Sequence, residues 1–255
     1  MKRATLLSIV LLASCAVAGW RGAFDEAFAA ASAKVWTPLN LVPDMWLDAS
    51  DAATVTLSGT NVTAWADKSG NGSNAAQVGS DATRPNYLAD QQNGRNAIYF
   101  DGRDYLGTSF LSATQTTVIV VARVVGGEII AGARDSANTR SFLGASVGKI
   151  RAGVGNDSHV ENTNTWGTAY RCAGMVYDGT TVALRADGEG IYTKAQSGTG
   201  ANFTRGYYIG GLNSAGSLII PFTGYVGEVL CWRRKLTGPE LAALESYLKT
   251  KWGTP

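Results

Sequence analysis

Thr116-Thr117-Val118-Ile119-Val120-Val121-Ala122-Arg123-Val124-Val125 is the stretch that decides the fold class. Most of its side chains are β-branched, and such side chains pack well on the pleated surface of a sheet. The Val-Ile-Val-Val centre is continuously apolar, whereas a half-buried strand would alternate apolar and polar residues. The stretch therefore predicts a strand that is buried on both faces.

Short apolar runs of the same kind occur on both sides of this strand, bounded by Gly, Asn, Asp, Ser or Pro. One pair, Thr54–Leu57 and Val62–Trp65, flanks a hairpin turn. The runs recur about every ten residues, and helical segments do not alternate with them, which favours a β-sandwich or barrel over a parallel α/β sheet. The fold class is therefore predicted to be all-β.

Composition excludes several functions. The chain has 255 residues with 31 Gly, 16% charged residues and a net charge of +2, whereas average usage is about 25% charged residues. Nucleic-acid binding is not expected, because it calls for a strongly basic surface. One histidine and three cysteines are too few for a Cys/His zinc module. The hydrophobic content of 45% argues against disorder.

The N-terminus is predicted to lie outside the sandwich. Residues 1–19 form a basic start and a short apolar segment, which resembles a secretory signal peptide cleaved before Gly19. Cys15 also fits a lipoprotein attachment site, and the alternative is an apolar anchor retained in a larger assembly. Residues 20–37 are predicted to be an Ala-rich linker or short helix, and residues 38–255 the sandwich with a C-terminal helix.

That helix has clear start and stop signals. Thr237-Gly238-Pro239-Glu240 is a capping box with an early proline, and Gly253 supplies the stop. One face is apolar, which predicts packing against an end or edge of the sandwich. This face contains Leu241, Leu244, Leu248 and Trp252.

Three segments resemble a known family: Met45–Asp51, Trp65–Gly72 and Phe222–Val229, the last followed by the helix. In this order they are similar to the concanavalin A-like lectin/glucanase superfamily, laminin-G-like branch, of the kind found in tailed-bacteriophage virion proteins. The resemblance covers roughly Pro38 to Gly253. It implies a two-sheet antiparallel jelly-roll β-sandwich, a fold that hosts lectins, glycosidases and adhesion modules.

Catalysis is not expected. Related glucanases carry a Glu-x-Asp-x-x-Glu string that aims carboxylates at one face of a strand, and glycosidases need two such groups. This sequence has no such string. Glu128 and Glu228 each stand alone in apolar strands, where an edge or turn carboxylate with backbone partners is expected. A hydrolase that uses residues distant in sequence stays an alternative.

A glycan site needs an aromatic platform and a few polar groups. The richest candidate is the polar segment that ends at Trp166, and the alternative is a solvated loop whose Trp166 packs over the sandwich edge. The candidate ligand-binding residues are Trp166, Asn156, Asp157, His159, Asn164, Arg134, Asp135 and Tyr105.

Two further features leave alternatives open. Asp67 and Asn71 offer oxygen ligands for calcium, the one cofactor considered, but the same residues suit a tight turn. Cys172 and Cys231 are expected to be bridged in an exported protein and to be buried thiols in a cytosolic one.

The function predicted is a non-catalytic, lectin-like module for surface glycan attachment or decoration. Its predicted partners are a cell-surface glycan or polysaccharide and, through residues 1–36, capsid or tail proteins of a virion. The expected location is the virion surface, and a homo-oligomer is considered. The alternative is an exported bacterial protein, secreted or lipid-anchored at the envelope, with a carbohydrate-binding module.

Overall fold

The described part of the chain begins after the N-terminal segment, so the predictions for residues 1–34 lie outside it. The fold comes from a computed structural model that describes residues 35–136, 139–146, 149–155, 159–162, 169–196 and 203–255.

Strands dominate these residues. The first ten are β1 Met45–Asp48, β2 Val55–Ser58, β3 Asn61–Trp65, β4 Ala75–Gln77, β5 Asn86–Gln92, β6 Arg95–Asp101, β7 Leu106–Gly107, β8 Thr116–Gly127, β9 Ile129–Ser136 and β10 Thr139–Ser146. The remainder are β11 Lys149–Val154, β12 Val160–Asn162, β13 Arg171–Tyr177, β14 Thr181–Ala186, β15 Glu189–Ala195, β16 Tyr208–Ile209, β17 Gly211–Ser214, β18 Ser217–Ile219 and β19 Phe222–Trp232. Short 3-10 helices span Pro38–Leu41, Ala52–Thr54 and Asp81–Thr83.

Strand pairing gives two layers, sheet A and sheet B, which are joined through β5 because that strand pairs with both β6 and β3. In sheet A the order is β19–β8–β13–β14–β15, and the other edge of β19 pairs first with β6 and then with β1. In sheet B the order is β2–β3–β4–β7–β16–β9–β10–β11–β12. These pairings are antiparallel; β17 pairs with β9 in parallel. The all-β prediction and the antiparallel sandwich are confirmed.

The opening stretch becomes β8, which has a neighbour on each side. Val118–Ala122 are fully buried between β13 and β19, as the continuous apolar run predicts. Alternate residues of the strand, beginning at Val118, join the core between the sheets. Val125, near the end of the strand, is 57% exposed. Burial on both faces is therefore confirmed for the centre of the strand.

Helix α1 (Gly238–Trp252) has the predicted ends. Thr237 and Glu240 form the capping box, and Gly253 closes the helix in a left-handed conformation (φ 63°). Such a conformation carries no steric penalty for glycine. The sequence therefore specifies both ends of this element locally.

The position of α1 differs from the prediction of an end or edge: the helix lies across the outer face of sheet A. Arg185 of β14 donates to both carboxylate oxygens of Glu245, at 2.6 and 2.8 Å. The Trp252 ring lies so close to Gly227 of β19 that a Cβ there would be 2.6 Å from it. The sheet is apolar on both faces, and the helix covers the second one.

Cys172 and Cys231 are both free and buried. Burial raises the pKa of each thiol well above its usual value, which makes the reactive thiolate scarce. No helix in the described part of the chain is long and apolar enough to span a bilayer.

Candidate functional site

Half of the eight candidate ligand residues can be placed, and all of these lie on or beside sheet B. Arg134 and Asp135 belong to β9, His159 precedes β12, and Tyr105 precedes β7. The others lie outside the described residues: Asn156, Asp157, Asn164 and Trp166.

Two of these four have partners within the fold. The ring of Tyr105 packs against Tyr208, with centroids 4.8 Å apart. The carboxylate of Asp135 accepts hydrogen bonds from the backbone N–H and the hydroxyl of Thr204, at 2.5 and 3.1 Å. Tyr105 and Asp135 therefore contribute to the packing and hydrogen bonding of the fold itself.

Cationic side chains gather on the outer surface of β9–β11 and around His159. Arg134 and Arg140 face each other in register across β9 and β10. Two carboxylates balance part of this charge, because Glu161 accepts from Lys149 at 2.5 Å and Glu128 pairs with Arg151. We call this surface the cationic face, and it comprises Arg134, Arg140, Lys149, Arg151, His159 and Lys194.

The positive charges of this surface affect the pKa of His159. Its ring is 37% exposed, and its Nε2 lies 3.6 Å from a carboxylate oxygen of Glu161. Burial lowers the pKa of His159, and the charges of Arg151, Arg140 and Lys194 lower it further, against the opposing effect of Glu161. A protonated imidazole is therefore disfavoured at this position.

A second cluster, aromatic in character, lies on the outer face of sheet A. Tyr225 of β19 is in register with Tyr99 of β6 on one side and with Arg123 of β8 on the other. The two tyrosine rings are 4.9 Å apart, and the guanidinium of Arg123 lies 4.0 Å from the Tyr225 centroid. All three side chains are half-buried. We call these residues, together with Tyr170, the tyrosine row.

Tyr170 connects the row to the helix. Its ring is stacked on Trp252 of α1, with centroids 6.4 Å apart and planes inclined by 12°. Arg123 also lies over the Tyr170 ring, at 5.8 Å. The residue is 2% exposed, and its hydroxyl is buried without a hydrogen-bond partner. Burial accordingly raises the pKa of Tyr170.

Polar groups flank the row. Thr223 and Asp101 form a cross-strand pair two residues further along β19 and β6, on the same face as Tyr225 and Tyr99, and the Asp101 side chain is 40% exposed. Asp104, only 3% exposed, accepts a hydrogen bond from the Asp101 N–H at 3.0 Å. Burial is the main cause that raises the pKa of Asp104 to about 6. The aromatic surface thus has a hydroxyl and a carboxylate at its edge.

Glu228 differs from the edge or turn carboxylate that was expected. It is fully buried under α1 and accepts hydrogen bonds from the indole N–H groups of Trp46 and Trp252, both at 2.6 Å. Lys251 donates to Glu228 and to Asp48, each at 2.7 Å. Because these partners enclose both carboxylates, the pair serves to hold the helix on the sheet.

The Asp67 turn does not fit calcium as it is arranged. Its carboxylate accepts four hydrogen bonds, from Trp46 N, Ser69 N, Ser69 Oγ and Ser73 N, at 2.7 to 2.9 Å. A carboxylate offers about four lone-pair sites, so none is free. Asn71 donates to the Pro43 carbonyl at 2.9 Å. Across the described residues, His, Cys, Asp and Glu side chains form no group of three that could hold a metal.

Comparison with known proteins identifies the fold. No family model and no curated protein matches the sequence. Among solved structures, domain 4 of AbnA, a GH43 extracellular arabinanase from Geobacillus stearothermophilus in complex with arabinotriose, has a TM-score of 0.57 at 13% identity, covering 80% of this chain and 98% of that domain. The botulinum neurotoxin type G receptor binding domain has a TM-score of 0.59 at 9% identity, covering 84% and 54% respectively.

A third similar structure is the CBM40 of the Ruminococcus gnavus IT-sialidase bound to α2,3-sialyllactose. It has a TM-score of 0.46 at 17% identity and covers 52% of this chain and 83% of that one. At such identities the likeness of these structures shows the fold alone. The chain is a β-sandwich.

Sequence reasoning missed the tyrosine row. Tyr99, Arg123 and Tyr225 lie in three different strands, so their proximity depends on strand register. A signal was present in the pattern of each strand: Tyr99 and Tyr225 alternate with core residues such as Ile98 and Val226. Successive side chains of a strand point to opposite faces of the sheet, so an aromatic residue between two core residues can be predicted to lie on the outer face.

Proposed function

We propose that the chain is a non-catalytic, lectin-like module that binds a glycan on its tyrosine row. The observation that carries this proposal is the register of Tyr99, Tyr225 and Arg123, which sets two aromatic rings and a guanidinium side by side on an outer sheet face. Sugar rings present C–H faces that pack on aromatic side chains, and a few polar groups then fix their orientation. Thr223 and Asp101 supply such groups.

The fold likeness supports the same proposal. The AbnA domain, which matches most of this chain, is in complex with arabinotriose, and the toxin domain is a receptor binding domain. A sandwich that serves attachment in other proteins is a reasonable scaffold for attachment here. The proposal still depends on the residues of this chain, because a fold hosts many functions.

Arabinotriose and a glycan array test the row directly. We expect weak binding at a single site and a loss of about fivefold for Tyr225→Ala, since each aromatic contact contributes about 1 kcal/mol. Tyr192→Ala is the matched control, because Tyr192 lies in β15 and is 52% exposed. Equal binding by wild type and Tyr225→Ala would refute the row as the platform.

The polar segment that ends at Trp166 is the competing location that the sequence predicts. Trp166→Ala belongs in the same assay, because the sequence predicts Trp166 as the platform. Loss of glycan binding in Trp166→Ala together with unchanged binding in Tyr225→Ala would assign the site to that segment. Loss in Tyr225→Ala alone supports the row.

The setting of the module is part of the proposal. We place it on a virion surface, with residues 1–36 docking it to capsid or tail proteins, and the alternative is export in a bacterium. Display in many copies would compensate for weak affinity at each site. Mass spectrometry of the natural N-terminus distinguishes the two: an intact Met1 supports the virion, and a chain that starts at Gly19 or carries lipid on Cys15 supports export.

A further inference from the structure

The tyrosine row is part of a longer line of side chains that runs across the strands. Asn86 of β5 is in register with Tyr99 of β6. Tyr99 is in register with Tyr225 of β19, and Tyr225 with Arg123 of β8. Register partners on neighbouring strands project from the same face of a sheet. Asn86 therefore extends the row by one strand beyond Tyr99.

The accessible part of this line runs from Asn86 to Arg123. It crosses four strands, and because neighbouring strands lie about 4.8 Å apart, its two ends are about 14 Å from each other. The side chains along it are half-buried, whereas Tyr170, which follows Arg123 in the row, is 2% exposed. The accessible length exceeds the width of one sugar ring.

The same face offers little room in the direction of the strands. On one side of the tyrosine rings, the Trp252 ring lies against Gly227 of β19. On the other side, a single outward-facing cross-strand pair, Thr223 with Asp101, remains before the paired segment of β19 and β6 ends. A long ligand that lies on the rings must therefore extend across the strands.

Hydrogen-bond donors are present at both ends of the accessible line. The Oδ1 of Asn86 accepts from the Thr60 hydroxyl at 3.3 Å, and no described residue accepts from its amide nitrogen. At the other end, the contacts of the Arg123 guanidinium with described residues are those with the Tyr170 and Tyr225 rings. Amide and guanidinium N–H groups are donors that suit the hydroxyl and ring oxygens of sugars. The line thus presents a donor, two aromatic rings and a second donor.

We propose that the line from Asn86 to Arg123 takes a linear oligosaccharide whose long axis crosses the strands. Successive sugar units pack on Tyr99 and Tyr225, and Asn86 and Arg123 donate to their oxygens. This inference rests on the proposed function and adds the length and the direction of the ligand to it. A monosaccharide reaches only part of the line, whereas a chain makes all of these contacts for a single loss of translational and rotational freedom.

The length of the saccharide tests the inference. Titration calorimetry of the full-length protein measures its affinity for arabinose, arabinotriose and arabinohexaose, and for glucose, cellotriose and cellohexaose. We expect a trisaccharide to bind about tenfold or more tightly than its monosaccharide, since it adds an aromatic contact and a hydrogen bond. Equal affinity for a monosaccharide and for the longer chains of its series would overturn the inference.

Asn86→Ala tests the direction of the ligand. It should weaken the binding of the hexasaccharide about fivefold and change the affinity for the monosaccharide less than about twofold, because a single sugar can still bind at Tyr225 and Arg123. The matched control is Gln91→Ala, since Gln91 is another half-buried amide of β5. Asn86→Asp keeps the size of the side chain but removes its donors, and it replaces Asn86→Ala if that variant fails to fold.

A ligand that runs along the strands gives the opposite result. Thr223→Ala would then weaken the binding of the hexasaccharide and Asn86→Ala would leave it unchanged, which overturns the inference. The outcomes also separate it from the proposed function. Loss of binding in Tyr225→Ala, together with equal affinity for short and long saccharides, would support the proposed function and refute the extended site. Absence of binding by both series, or full binding by Tyr225→Ala, would refute both.

Discussion

Replacing Lys251 by Met tests how α1 is held on sheet A. The Lys251 side chain is 8% exposed, and its ammonium lies 2.7 Å from both Asp48 and Glu228. These carboxylates face each other in register across β1 and β19. Without Lys251 they would repel each other in a site that excludes water.

The structure sets the size of the effect. Removing one partner of a buried ion pair costs about 3 to 5 kcal/mol. We expect the lower end of that range, because Lys68 still donates to Asp48 at 3.0 Å and two indole N–H groups still donate to Glu228. A loss of about 3 kcal/mol corresponds to a fall in melting temperature of roughly 6 to 12 °C for a domain of this size.

Urea unfolding at about pH 7, followed by tryptophan fluorescence, measures the loss. The matched control is Lys249→Met, since Lys249 is exposed on the same helix, and its effect should stay within about 0.5 kcal/mol. A loss below about 1 kcal/mol for Lys251→Met would refute the reasoning, because the carboxylates would then not depend on this cation.

The pH dependence provides a second check. In the wild type, Lys251 and hydrogen bonds hold the pKa of Asp48 below its usual value despite burial. That contribution is present above the unfolded-state pKa and is lost as the pH falls. In Lys251→Met the buried carboxylates take up protons more readily, so the variant should lose less stability in acid. The difference between the two proteins should narrow as the pH falls, and a constant difference would contradict the account.

Three further predictions concern other parts of the molecule. Because the pKa of Asp104 is raised to about 6, its ionisation opposes folding, and the stability of the protein should fall as the pH rises from about 4 to about 6. Asp104→Asn should abolish this pH dependence and stabilise the protein by up to about 3 kcal/mol at pH 7, measured by urea unfolding. Leu241→Asp should destabilise by about 2 kcal/mol or more in the same assay, because Leu241 is 6% exposed. Millimolar calcium should leave the melting temperature unchanged, because four internal donors occupy Asp67.

Local patterns predicted the elements that depend on neighbours in sequence. The apolar run of β8 determines a buried strand whatever lies beside it, and the capping box at Thr237 with Gly253 sets both ends of α1. The turn at Asp67 belongs to the same group, since its carboxylate binds the N–H groups of Ser69 and Ser73. The capping and turn hydrogen bonds named here join groups within a few residues of one another, and the strand prediction needs only the residues of the strand itself.

The surface on which α1 packs could not be predicted from local sequence patterns. The sequence shows an apolar helix face and leaves open which surface it covers. That choice is made by Arg185 with Glu245 and by Lys251 with Glu228, whose partners lie 60 and 23 residues apart. An acid in an otherwise apolar strand is the available signal: Glu228 must find donors when buried, and a lysine and a tryptophan in the last turn of the helix can provide them.

The same contacts define where the tyrosine row begins. The helix covers the part of the outer face of sheet A that contains Asp48 and Glu228, and its last aromatic residue, Trp252, stacks on Tyr170. Beyond Tyr170 the strands carry Arg123 and Tyr225, which remain half-exposed. The indole N–H of Trp252 donates to Glu228, and the ring of the same residue stacks on Tyr170 of the tyrosine row. The buried carboxylate that sequence reasoning considered for catalysis thus acts on the proposed glycan surface indirectly, because it fixes the helix end against which that surface is built.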